Sequence, residues 1–314
     1  MTLLLAAVAL LAGPARGQVA VPLSAVDRAG RPVEGLRAED LRVTVGGAEQ
    51  KVVSLTPLAE EPLRVVLMLD ASASQEQVLR FARPAAMDLM RALLRPGRDE
   101  AAVVSFTNEA EVVEGLTADL AALGRAVQAV EFVPPPGYVG GGIVILGRPP
   151  KGGPPPPGST AIWDSLAEVC DGVLAPAKDG RRVVVLFSDG VDTSSRLKPD
   201  AAAERLVREG VTVYSVGIGD SKNFEGVVKD GLRKLSKRTG GRAYFPKKVD
   251  DLVRTLGEIR AELLASYAVA LAPAAPRAVG ETPRLRVEVV NPELRRRGVE
   301  LAHPQTLSAG PPPP

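Results

Sequence analysis

The stretch Val65 to Ser74 constrains the fold more than any other part of this chain. Five consecutive apolar residues, Val65 to Leu69, run straight into Asp70, with Ser72 and Ser74 at alternate positions beyond it. A short unbroken apolar run suits a strand buried on both faces of a sheet, and the abrupt switch to polar residues marks where it leaves the core. A helical pattern follows, with Val78, Phe81, Ala82, Ala85, Leu89 and Leu93 spaced by three and four. Ser74 and Gln77 fit a capping box at its start. The polar triplet therefore falls between a strand's carboxyl end and a helix amino terminus. In open α/β sheets that crevice is where ligands bind.

A carboxylate beside two neutral hydroxyls on one turn suits a hard cation such as Mg²⁺. Taken alone, the same residues also read as a helix-capping serine and a satisfied loop aspartate. Two further loops add specificity. Val183 to Phe187 is another continuous apolar strand, and it too runs into a carboxylate, in Ser188-Asp189-Gly190. Thr160 opens a helical pattern just after Gly158. If the sheet is parallel, Asp70 and Asp189 lie at strand carboxyl ends and converge with the hydroxyls of Ser72, Ser74 and Thr160. Asp192 and Ser194 read as rim residues or as a solvated turn.

Strands and helices alternate from Leu63 to about Leu264, which predicts a doubly wound, mostly parallel sheet with helices on both faces. Short alternating β patterns flank it. Residues 18–57 form an amino-terminal β segment and 267–307 a carboxyl-terminal one, and the two are expected to pair as a small β module. Residues 134–158 are dense in proline and glycine and read as an extended surface loop; residues 308–314 read as a flexible tail. The basic run Arg295 to Arg297 reads as a solvated turn.

Met1 to Gly17 has the shape of a secretory signal peptide, with a Leu/Ala/Val run from Leu3 to Ala12 and small residues before Gly17, but lacks the usual leading positive charge. The run is too short to span a bilayer, so the mature chain is expected to carry no transmembrane span. The expected location is periplasm, cell envelope or medium. The one cysteine, Cys170, excludes an intrachain disulfide and falls on an apolar helical face as a core thiol. With 45% apolar residues among 314 the chain can bury a sizeable core. A net charge of +2 and few aromatic residues argue against a nucleic-acid partner.

In these motifs the chain resembles the von Willebrand factor type A family, whose metal-ion-dependent adhesion site combines a D-x-S-x-S turn, a threonine loop and an aspartate loop. Asp70, Ser72 and Ser74, then Thr160 in Gly158-Ser159-Thr160-Ala161, then Asp189 match in order. The segment Asp27 to Leu41 is similar to the amino-terminal signature of exported bacterial von Willebrand-related proteins. The resemblance implies a Mg²⁺, with Mn²⁺ or Ca²⁺ as alternatives, held by those five residues. It also implies a protein partner whose Asp or Glu carboxylate completes the coordination. Such a site captures and does not turn over substrate.

The rival readings are a scaffold with a vestigial metal site and a Mg²⁺-dependent hydrolase. Against the hydrolase, the only histidine is His303 near the carboxyl end, and no nucleophile is visibly paired with a base. No catalytic residue is assigned.

Overall fold

The computed structural model describes residues 19–134, 136–140, 143–144, 155, 157–177, 179–219, 226–272 and 282–307. The expected leader, the tail 308–314 and much of the loop 134–158 lie outside them.

The chain begins in β structure. β1 (Val19–Val26), β2 (Leu41–Val45), β3 (Ala48–Gln50) and β4 (Val52–Pro57) come first. In β2, Leu41, Val43 and Val45 are buried while Arg42 is exposed, the period of a strand with one face on a core. The α/β part follows as β5 (Leu63–Asp70), α1 (Leu79–Leu93), β6 (Glu100–Phe106), β7 (Ala110–Thr117) and α2 (Leu120–Ala129). Within the proline- and glycine-rich segment, β8 (Tyr138–Gly140) and β9 (Ile143–Val144) form a short antiparallel ladder, where the sequence offered only a loop. Next come α3 (Ile162–Val169), β10 (Arg181–Ser188), α4 (Pro199–Arg208), β11 (Val211–Gly217), α5 (Lys229–Thr239), β12 (Ala243–Tyr244) and α6 (Val249–Leu264). The chain returns to β structure in β13 (Ser266–Leu271) and β14 (Leu285–Val289), and after a short helix α7 (Pro292–Arg296) in β15 (Glu300–Ala302). Arg295 and Arg296, read as a turn, close that helix; Arg297 follows it.

The central sheet has the strand order β12-β11-β10-β5-β6-β7, parallel except for β7, which is antiparallel at one edge. All eight residues of β5 are buried, as its unbroken apolar run requires of the middle strand of a two-sided sheet. One face packs on α1, α2 and α6, through Leu67, Leu89, Met90, Leu123 and Ile259 among others. The other packs on α3, α4 and α5, through Val66, Met68, Leu166, Leu206 and Leu235. From β5 the chain winds outward through β6 and β7, and from β10 it winds the opposite way. The boundary between these neighbouring strands is therefore the switch point of the sheet, where connections diverge and leave a crevice at the carboxyl ends.

The flanking strands form two antiparallel sheets, β15-β1-β13-β4 and β14-β2-β3, around a core of Val21, Leu23, Val43, Tyr267, Val269 and Leu285. This module is bolted to the α/β part by buried polar contacts. Ser24 donates to Glu262 of α6 at 3.0 Å, and Tyr244 donates to the same carboxylate at 2.6 Å. Arg181 donates to the Leu263 carbonyl at 2.6 Å and to Ser266 Oγ at 3.0 Å, closing the end of α6 where it turns into β13. The entry to β5 is held by Asp99, which is fully buried and accepts from Leu63 N and from the Arg95 guanidinium.

One local expectation needs correction. Ser74 does not cap α1. A 3₁₀ turn over Ala73–Gln75, with Gln75 N donating to Ser72 O, takes up those residues, and α1 begins at Leu79 with Val78 at its N-cap. The Ser74 hydroxyl instead lies 3.3 Å from the Ser72 hydroxyl. Helix α3 runs on into a wider π turn, Cys170–Leu174, in which the Cys170 thiol is buried. That burial, chiefly, pushes the thiol up to about 12, so it is an inert core group.

Candidate metal centre

Three loops meet at the switch point. The first leaves β5 at Asp70, whose carboxylate is buried at 1% exposure. Asp70 Oδ1 accepts from Ser72 N at 3.0 Å, which folds the turn back so that both serines stand over the strand end. Asp70 Oδ2 accepts from Ser188 Oγ at 2.6 Å, across from the end of β10. Burial first, and then the Asp189 carboxylate, push Asp70 up to about 7, although Ser188 and Ser72 stabilise its ionised form. None of the leading influences on this carboxyl is a basic side chain.

The second loop follows β10. Asp189 is buried, and its Oδ1 accepts from Val191 N at 2.9 Å while its carbonyl accepts from Val228 N at 2.7 Å. Gly190 makes the sharp turn between them. Its φ is +79°, and a Cβ there would lie 2.4 Å from Val228 O, so only glycine fits.

The third loop carries Thr160, buried at 5% exposure. Ala73 N donates to Gly158 O at 3.5 Å, and Ala161 N donates to Thr107 O at 2.7 Å, so this loop is laid against the first one and the end of β6. A denser set of bonds joins it to the second. Thr160 N donates to Thr193 Oγ1 at 2.9 Å, and Thr160 O accepts from Thr193 N at 2.8 Å and Ser194 N at 3.0 Å. Asp192 points away from the crevice. Its Oδ2 accepts from Ile162 N at 2.8 Å and Ser195 Oγ at 2.6 Å, and its Oδ1 accepts from Ser195 N at 3.1 Å. It is thus the N-cap of α3, supplied from 30 residues away, because Ala161 at the cap position has no side-chain acceptor. Ser195 Oγ takes Trp163 N at 3.0 Å.

The structure therefore brings the loops that carry Asp70, Ser72, Ser74, Thr160 and Asp189 together at the switch point, and ties Asp192 to the start of α3 as a clamp. Sequence reasoning passed over Ser188 and the clamp of Asp192, Thr193 and Ser195. The available signal was the helix that opens on Ala161 with no capping residue of its own. Two carboxylates and three hydroxyls are a hard, all-oxygen donor set of the kind that suits Mg²⁺, Mn²⁺ or Ca²⁺. The repulsion between the Asp70 and Asp189 carboxylates fits a divalent cation, which would reverse it. No group of three or more His, Cys, Asp or Glu side chains with metal-holding geometry occurs among the described residues. His303 lies in the β module, with its Nε2 accepting from Val287 N at 3.2 Å and its Nδ1 donating to Pro304 O at 2.8 Å.

Residues 154–259, which include Thr160 and Asp189 and begin after the Asp70 turn, match the description of the von Willebrand factor type A domain. That match spans about a third of the chain. Among solved structures it is similar to proximal thread matrix protein 1 from the mussel byssus, at 18% identity and a TM-score of 0.51, over 74% of this chain and 50% of that one. A further form of that mussel protein, described as having a zinc-occupied metal-ion-dependent adhesion motif, matches at 19% identity and a TM-score of 0.51, over 71% and 50%. A von Willebrand factor type A protein from Catenulispora acidiphila matches at 16% identity and a TM-score of 0.51, over 88% of this chain and 71% of that one. At these identities the likeness is one of fold, and the chain spans about half the length of the mussel protein. A search of curated proteins found no match. In the central sheet β5 and β10 hold the two aspartates in adjacent register, Leu69 opposite Phe187. Among the described residues no helix is long and apolar enough to cross a membrane.

Proposed function

We propose that this chain is an exported, metal-ion-dependent protein-binding module in which Asp70, Ser72, Ser74, Thr160 and Asp189 hold a Mg²⁺ that captures an acidic side chain of a protein partner. The observation that carries the reading is the buried pair Asp70 and Asp189, whose like charges raise the Asp70 carboxyl, on loops that also carry three hydroxyls. Two carboxylates neutralise a dication and neutral hydroxyls leave it electrophilic, so a carboxylate from outside is a favourable further ligand. The mussel protein's zinc-occupied motif supports the same use of this fold. Export rests on the leader-like Met1 to Gly17.

Titration calorimetry with Mg²⁺ and Mn²⁺ tests the metal step. One ion is expected to bind, and binding is expected to vanish in Asp70→Ala and Thr160→Ala while circular dichroism stays unchanged. Equal binding in the folded variants would overturn the assignment.

A further inference from the structure

Nine large apolar residues are exposed among the described residues, and four of them stand around the candidate metal centre: Val133, Val139, Val191 and Val228. Their place is fixed by bonds to the loops already described. Val191 N donates to Asp189 Oδ1, Val228 N donates to Asp189 O, and Val133 N donates to Ala71 O, beside Asp70. Val139 follows Tyr138, whose hydroxyl donates to Glu76, two residues past Ser74, and whose ring packs on Phe132 with centroids 5.0 Å apart. Exposures of 37%, 59%, 37% and 49% leave these side chains in water, Val191 on the Asp189 loop and the others on segments bonded to the Asp70 loop, to Glu76 or to Asp189.

We propose, resting on the metal-capture reading, that the partner presents a single carboxylate flanked on both sides by aliphatic side chains. A lone valine on a surface is ordinary, but four of nine gathered round one polar centre make an apolar collar. A small free anion or a sugar carboxylate would fill the open coordination position and leave that collar wet. A segment rich in acidic residues would set further carboxylates against the valines and against Glu76. Aliphatic flanks instead dehydrate the collar and exclude water from the ion–carboxylate contact, which strengthens it.

The test uses two N-acetylated, C-amidated pentapeptides, Ala-Leu-Glu-Leu-Ala and Ala-Ser-Glu-Ser-Ala. Each is titrated into the full chain in saturating Mg²⁺ and again in EDTA, followed by NMR chemical shifts, after Mg²⁺ binding alone has been measured. The leucine-flanked peptide is expected to bind at least about tenfold more tightly, only with Mg²⁺. In the double variant Val139→Ser, Val228→Ser the ratio of the two affinities is expected to fall towards one, a comparison that cancels any change in metal affinity. Equal affinities in the unaltered chain, no binding of either peptide to the Mg²⁺-loaded chain, or a preference that survives the double variant would each overturn the collar while leaving the metal site standing. Failure to bind Mg²⁺ in the first titration overturns the metal reading and the collar with it.

Discussion

Replacing Asp192 by alanine isolates the clamp from the ligands. The substitution removes the acceptor of Ile162 N and both bonds to Ser195. Trp163 N keeps Ser195 Oγ, so the lasting loss is one capping bond from a carboxylate to a buried amide, plus the order of Ser195. A bond to a charged acceptor contributes about 1.5–3 kcal/mol, and a lost N-cap costs about 0.5–2 kcal/mol. Counting the same bond once gives about 2–3 kcal/mol, which for a chain of 314 residues lowers the melting midpoint by about 3–5 °C. Asp192→Asn keeps an acceptor without the charge and is expected to lose about half as much. Because α3 starts two residues after Thr160, amides 160–165 are expected to lose hydrogen-exchange protection, and Mg²⁺ affinity to drop about tenfold although every proposed ligand is intact. A melting midpoint within about 1 °C of the unaltered chain, or unchanged protection of those amides, would refute the clamp.

Two further outcomes are expected. Asp70→Asn removes a buried charge whose carboxyl is pushed up to about 7; in chelator at pH 8 it is expected to gain stability, by up to about 4 kcal/mol, while losing its response to Mg²⁺. Urea unfolding with and without Mg²⁺ measures both, and a destabilised metal-free variant would contradict the repulsion argument. Burial depresses His303 below the ordinary histidine value of 6.5, so the unfolded chain takes the proton first: the contribution is complete above that value and is lost as pH falls towards the folded value, at no more than about 1.4 kcal/mol per pH unit. His303→Gln is expected to flatten the curve of urea midpoint against pH between about 7 and 5.5, and identical slopes in the two proteins would exclude the histidine as the cause.

What was legible in the sequence follows from how local its causes are. Val65 to Leu69 and Val183 to Phe187 announce strands buried on both faces, and β5 and β10 are the adjacent central pair. Polar residues placed directly after those runs had to emerge at the same end of a parallel sheet, which is why the convergence of Asp70 and Asp189 was readable. The start of α1 was not, because Ser72 and Gln75 spend their backbone groups on a 3₁₀ turn that the capping pattern does not distinguish from a helix start. Asp192 was misplaced for a different reason. Its partners lie 30 residues away in α3, and no local pattern tells a solvated aspartate from one that caps a distant helix. The short β8–β9 ladder was hidden by composition, since proline and glycine mark irregular chain but say nothing of a few residues that pair between them.

The pairing of β1 carries a consequence for how the chain is made. Val19 lies opposite Leu271 and Ser24 opposite Ala302, so the two neighbours of β1 are encoded about 250 and about 280 residues downstream. At a synthesis rate of about 5–20 residues per second that is a wait of roughly 12–50 s. All the strands and helices of the central sheet fall between those partners and depend on no strand outside that span, so the central α/β part can close while β1 still presents two open edges. The β module is therefore the last part to form, and any product that stops before Ser266 leaves β1 with neither neighbour.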